Sequence, residues 1–181
     1  MTILPPVLHD ADMPLAERMA ARLDGELYAF GDGHCAIDEI EGPALRLRSV
    51  LGGRAPRLIA ELATAAWVWG ARDSPPARLE FCVDLRARAR PQTTPLMIVR
   101  EVVLLPGDTA QLGESRVTIP LRTAVDLVRS RESFNDDDRD AVRRLAAIAG
   151  FAMPDCREFL DRSRNLPAKR RALERLRECL G

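Results

Sequence analysis

Along the first two thirds of the chain the apolar positions fall in short runs, and from Pro120 onward they recur with helical period. MPLAERMAARLDG spaces Leu15, Met19 and Leu23 four residues apart, which predicts one short amphipathic helix closed by Gly25. ELYAFGDGHCAIDEI follows as two short runs about Gly31-Asp32-Gly33, a hairpin signal. In GPALRLRSVLGG, Pro43 opens a helix and Gly52-Gly53 closes it. PRLIAELATAAWVWGARDSPP is apolar through Trp67 and Trp69, then broken by Gly70 and Pro75-Pro76, so it reads as a buried helix emerging into a loop.

RLEFCVDLRARAR alternates. Leu79, Phe81, Val83 and Leu85 share one face and Glu80, Cys82, Asp84 and Arg86 the other, which predicts a half-buried strand. PLMIVREVVLLPGD is a second β-rich run, and AQLGESRVTIP a hairpin turning near Gly113. Four helices are then expected in succession. Their apolar stripes are Leu121, Ala124, Val125 and Val128; then Val142, Leu145 and Ala149; then Phe159 and Leu160; then Leu166, Leu173, Leu176 and Leu180. Pro120, Asn135 before three Asp residues, Pro154, and Asn165 before Pro167 supply the start signals. These elements predict an α+β fold. Short mixed strands and hairpins pack with helices in the N-terminal and central parts, and a helical C-terminal third follows.

At 181 residues the chain has room for one well-cored domain or a core with a small annex. It holds 27 basic and 27 acidic residues, so any attraction to nucleic acid or an anionic membrane must come from a local patch. Nearly all the basic residues are Arg, with Lys169 the single Lys, which reads as a coding bias and discounts each Arg cluster. Cys35, Cys82, Cys156 and Cys179 lack CxxC spacing and the N-terminus lacks a signal-peptide pattern, so reduced thiols and a cytoplasmic location are expected. No stretch approaches the roughly 20 apolar residues of a membrane span.

Each route to catalysis meets a structural alternative. Asp136, Asp137, Asp138 and Asp140 diverge by about 100° per residue on a helix, and belong in a first turn facing the helix dipole. His34 beside Cys35, with His9 far upstream, lacks the second ligand pair of a structural zinc site, so His34 is read as a surface hairpin residue. His9 and His34 are the only imidazoles able to serve a nucleophile, and neither lies near a strained Cys or Ser motif. LGGRAP lacks the Lys-Ser/Thr of a phosphate loop. Glu80 and Asp84 on one strand resemble a metal-dependent nuclease pair, yet the Lys such a site requires is missing nearby. No catalytic residue, metal ligand or cofactor is therefore assigned.

Two basic features remain. Arg86, Arg88 and Arg90 alternate and would project from one face as a row of guanidinium forks if the strand runs that far. Near the C-terminus Arg162, Arg164, Lys169, Arg170, Arg171, Arg175 and Arg177 gather. Either could bind nucleic acid or an acidic partner. The alternative is a helix laced with ion pairs, Arg170 with Glu174 and Arg175 with Glu178, and neither stretch has aromatic residues to stack bases.

In order along the chain, RLDGELYAFGDGHCAID, PRLIAELATAAWVWGA, CVDLRARARP, VREVVLLPGD, VTIPLRTAVDLVR and NLPAKRRALERLR resemble the actinobacterial branch of the AbiEi-type antitoxins of type IV toxin-antitoxin systems. The most telling residues are Trp67, Trp69 and Gly70, and the strand-to-helix junction with Pro120, Arg122, Thr123 and Asp126. On spacing alone Arg122 and Asp126 read as a helix-surface pair. The resemblance implies a non-catalytic regulator whose partners are a nucleotidyltransferase-type toxin, operon DNA, or both. The alternative is a stand-alone DNA-binding transcriptional regulator.

The family's N-terminal winged helix needs about three helices plus its wing. Ahead of Gly31-Asp32-Gly33 there is room for one short helix, so the full module is not expected here. Residues 1–42 are expected to form a short helix plus β-hairpin, a degenerate wing-like annex, and residues 43–181 the α+β core with its C-terminal helices. In relatives this core can also precede a nuclease domain, which would begin where Gly181 stands.

Overall fold

The computed structural model describes residues 4–52, 54, 57–87, 93–162 and 167–181. Its architecture is α+β, as the patterning predicts, and opens with a small antiparallel sheet. β1 (Val7–Leu8) leads through α1 (Leu15–Leu23) to β2 (Leu27–Phe30) and β3 (Gly33–Ala36), in sheet order β1-β3-β2. Phe30 pairs with Gly33 across a two-residue turn, where Gly31 has φ of +57°, a conformation that favours glycine. Gly25, at φ of +78°, closes α1 as expected.

α2 (Pro43–Leu51) then packs over a five-stranded mixed sheet of order β6-β5-β4-β8-β7. Its strands are β4 (Ile59–Ala60), β5 (Leu79–Asp84), β6 (Met97–Val102), β7 (Thr109–Leu112) and β8 (Ser115–Thr118). β5 pairs parallel with β6 and β4 parallel with β8, whereas β4–β5 and β7–β8 are antiparallel. Two expectations are corrected here. The run from Arg57 to Gly70 is not one helix: it starts as β4, and α3 (Leu62–Val68) follows. β5 is buried on both faces from Leu79 to Val83, because Glu80 and Cys82 are buried along with Phe81.

The C-terminal helices are α4 (Pro120–Ser130), α5 (Asp136–Ala149), α6 (Met153–Asp161) and α7 (Lys169–Leu180). The Asn135 side chain accepts from Asp138 N at 2.9 Å, and Asp136–Asp138 occupy the first turn, so the acidic run caps its helix. Within α5 Ala149 is exposed, and Ala141 and Ala146 complete the buried stripe instead. α7 begins at Lys169, two residues past Pro167; Asn165 and Leu166 lie outside the described residues.

Two apolar cores result, and α3 lies in both. Ala65, Trp67 and Val68 join the sheet, α2 and the N-terminal hairpin, while Leu62 and Ala66 join the helical lobe. Every residue of α3 is buried, and Ala65 and Ala66 have no accessible surface. Small side chains let both layers approach one helix. Replacing Ala66 with Leu should therefore destabilise the fold by about 1–3 kcal/mol through overpacking. Urea denaturation checks this against Ala149→Leu on the exposed face of α5, expected within about 0.5 kcal/mol of the parent.

Candidate interaction surface

The junction between β8 and α4 gathers residues from distant parts of the sequence. Trp69 Nε1 donates to the Thr118 carbonyl at 2.8 Å, and the Thr118 and Thr123 hydroxyls lie 2.6 Å apart. Pro120 opens α4. Arg122 donates from Nε to Asp126 at 2.5 Å and from Nη1 to Asp108 at 2.6 Å; Arg129 reaches the other Asp126 oxygen at 2.8 Å. The expected surface pair is thus corrected. Arg122, Asp126 and Asp108 are buried, because Asp108 supplies the second carboxylate that lets the guanidinium leave water.

A second cluster pins the start of α3. Glu80 accepts from Ala63 N at 2.8 Å and from both Arg131 Nη atoms at 2.7 Å. Glu61 takes two bonds of 2.7 Å from Arg100, which also reaches Ser130. Burial raises the Glu61 carboxyl above its ordinary range, partly offset by Arg100. Between these anchors Leu62 adopts φ of +49°, a strained conformation for a non-glycine residue, of order 1 kcal/mol or more. Glu80 therefore works as a structural anchor, and Asp84, the other carboxylate of that strand face, accepts from Arg86 N at 3.0 Å.

The thiols are equally quiet. Burial pushes Cys82 far up, and Cys156 up to about 11, so both stay protonated near neutral pH. All four cysteines are free, and among the described residues no three of His, Cys, Asp and Glu converge as a metal ion requires.

The basic features fare differently from one another. β5 ends at Asp84 and Arg86 lies in a 3-10 turn (Leu85–Ala87), so it does not extend the strand; Arg88, Arg90 and Arg164 lie outside the described residues. Arg162 stacks on Phe159 at 5.1 Å and donates to the Pro106 carbonyl. Lys169 pairs with Asp161 at 2.5 Å. Arg170, almost fully exposed, faces Glu174 at 3.8 Å, as its spacing predicts. Arg171, exposed, and Arg175, partly buried, are both engaged by the fold itself. They donate to the carbonyls of Arg129, and of Val128, Arg131 and Glu132, and so cap the C-terminus of α4, with Arg175 also over Phe134 at 4.9 Å. The expected Arg175–Glu178 pair is absent among the described residues; Glu178 faces Arg139 at 3.8 Å.

His34 is a further correction: it is buried, not a surface residue of the hairpin. Arg18, the one buried residue of α1, places Nη1 3.3 Å from His34 Nδ1 and donates to the Leu8 and Met13 carbonyls and to Asp10. A guanidinium has no acceptor, so Nδ1 must accept and the ring is held neutral. Burial, then Arg18, Arg22 and His9, lower the His34 pKa.

The zero net charge conceals a division that the sequence reading missed and that a count by segment exposes. Residues 1–42 hold nine acidic side chains and two basic ones; residues 43–181 hold eighteen and twenty-five. Along the boundary runs a groove of about 570 Å³, lined by Ile40, Pro43, Arg48, Leu58, Leu112 and Glu114 among others. Among the described residues, no helix is long and apolar enough to cross a membrane.

A family model described as the AbiEi antitoxin C-terminal domain matches residues 58–180, the span that holds every element from β4 to α7. No curated protein matches the chain.

Two outcomes are expected. Arg122→Ala, which takes the close guanidinium from buried Asp108 and one of two from buried Asp126, should lose about 3–5 kcal/mol in chemical denaturation, whereas Arg170→Ala should stay within about 0.5 kcal/mol. For His34 the folded-state pKa lies below the unfolded value of about 6.5, so the unfolded chain takes up the proton first. Its stabilisation is full above that pH and is lost as pH falls through the depressed folded value. The melting temperature should therefore drop between about pH 7 and pH 5, and His34→Gln should flatten that slope.

Proposed function

Because this chain belongs to the AbiEi antitoxin family, we propose that it is a non-catalytic, cytoplasmic antitoxin of the type IV class that acts by binding a nucleotidyltransferase-type toxin. The role of antitoxin-like regulator comes with the family. The match across residues 58–180 carries the reading. Its non-catalytic part is supported by the interior, where Glu61, Glu80, Asp108, Asp126 and Asp138 each face a guanidinium and the shifted thiols are held protonated.

In this proposal residues 43–181 are the toxin-binding core and residues 1–42 a degenerate wing-like annex. The strand–helix–hairpin connectivity of the β1-β3-β2 sheet supports that division. Contact falls to Arg86, Arg162, Lys169 and Arg170, with Arg88, Arg90 and Arg164 in the adjoining sequence. Arg171 and Arg175 already serve the α4 carbonyls. The same fact weakens the alternative of a stand-alone DNA-binding regulator reading phosphates through α7.

Co-expression with a nucleotidyltransferase-type toxin from the same genome should restore growth and co-purify the two proteins. Arg162→Glu with Arg170→Glu should weaken that association by about tenfold or more, read by calorimetry. Specific retention of operon DNA, with log K falling by about 0.9 per neutralised phosphate as log salt rises and no toxin recovered, would favour the alternative. Recovery of neither partner overturns both.

A further inference from the structure

Large exposed apolar side chains are normal when scattered, and informative when they gather. Here Leu4, Leu15, Met19, Leu23, Ile37 and Ile40 are all exposed and all belong to the N-terminal segment. Leu15, Met19 and Leu23 form one line along α1, with Ala16 and Ala20 exposed beside them, so the stripe that patterning predicts for this helix faces water. α1 is held the other way round, by the buried guanidinium of Arg18. Its apolar face is unpartnered.

The charge around this face is one-sided. Asp12 precedes α1, Asp24 and Glu26 stand at its C-terminal end, Glu17 lies on the side of the helix away from the stripe, and Asp38 and Glu39 follow the hairpin; all six are exposed and none has a basic ion-pair partner among the described residues. Among the described residues Arg22, on the same side of α1 as the stripe, is the one cation of this helix outside an ion pair, and the exposed acids of the segment outnumber it. A surface with this field repels a phosphate backbone and attracts a cation. Against another copy's α1 it would set acid against acid.

We propose that the exposed face of α1 is a docking surface for a basic amphipathic segment of another protein. Leu15, Met19 and Leu23 supply the apolar contact, and the Asp12, Asp24 and Glu26 carboxylates at the two ends of α1 meet Lys or Arg. The site is separate from the basic core assigned to the toxin, and it stands whether or not that assignment holds. It turns the annex from a nucleic-acid module into a protein-binding one.

The test uses the full chain and two synthetic helical peptides of about 18 residues with identical Leu spacing, one flanked by Lys and one by Glu, followed by fluorescence anisotropy. The Lys peptide should bind at least about tenfold more tightly than the Glu peptide, and the preference should shrink as salt rises. Leu15→Ser with Leu23→Ser should lower that affinity by about tenfold or more while the thermal melt is unchanged, since both residues are exposed. Equal binding of the two peptides, or no loss in the double variant, overturns the proposal. So does duplex DNA binding that the double variant abolishes, or a homodimer in sedimentation that the variant dissolves.

Discussion

A carboxylate that cannot reach water must be held by cations and amides, and the fold hangs on that constraint at Glu80. One side chain receives the Ala63 amide in the first turn of α3 and both terminal nitrogens of Arg131, just past the end of α4. Strand, central helix and helical lobe therefore meet at a single carboxylate. Glu61 and Arg100 repeat the arrangement one strand away, and the two pairs hold the strained backbone of Leu62 between them. Buried pairs of this kind contribute less to net stability than to register, because desolvation offsets most of their attraction. What they fix is which layer faces α3 from which side, and the alanines of α3 then permit both layers to close upon it.

From this follows a division of labour among the arginines. Those at 100, 122, 129 and 131 neutralise interior acids, and those at 171 and 175 satisfy the carbonyls that end α4. What is left for partners is a smaller basic set on the core and, opposite in sign, an acidic and apolar annex. A member of the AbiEi antitoxin family built in this way presents two chemically distinct faces, one basic and one acidic.

Much of the framework was legible in the sequence. Pro120, Asn135 and Pro154 mark helix starts because N-terminal chemistry is local, and Gly31-Asp32-Gly33 and Gly113 mark turns for the same reason. What stayed hidden was long-range. Spacing pairs Arg122 with Asp126 but says nothing of Asp108, which arrives from the turn before β7 and converts a surface pair into a buried triad. Alternation in β5 reads as half-buried, because the acid that faces its second side, Glu80, is covered only once Arg131 closes over it. Periodicity also shows the Leu15-Met19-Leu23 stripe of α1 but not that the helix packs through Arg18 instead, since a buried Arg leaves no apolar signal. The segmental charge division needed no structure at all, only a count by segment rather than over the whole.

Arg100 and Arg131 each grip a carboxylate through two parallel bonds, and Arg175 spans several carbonyls at once. An ammonium group offers neither geometry. The scarcity of Lys, which looks like a drift of codon usage, is at these positions a restriction on evolutionary latitude. Genomes of any base composition would have to keep a planar, forked cation there, whereas position 170 is open to exchange.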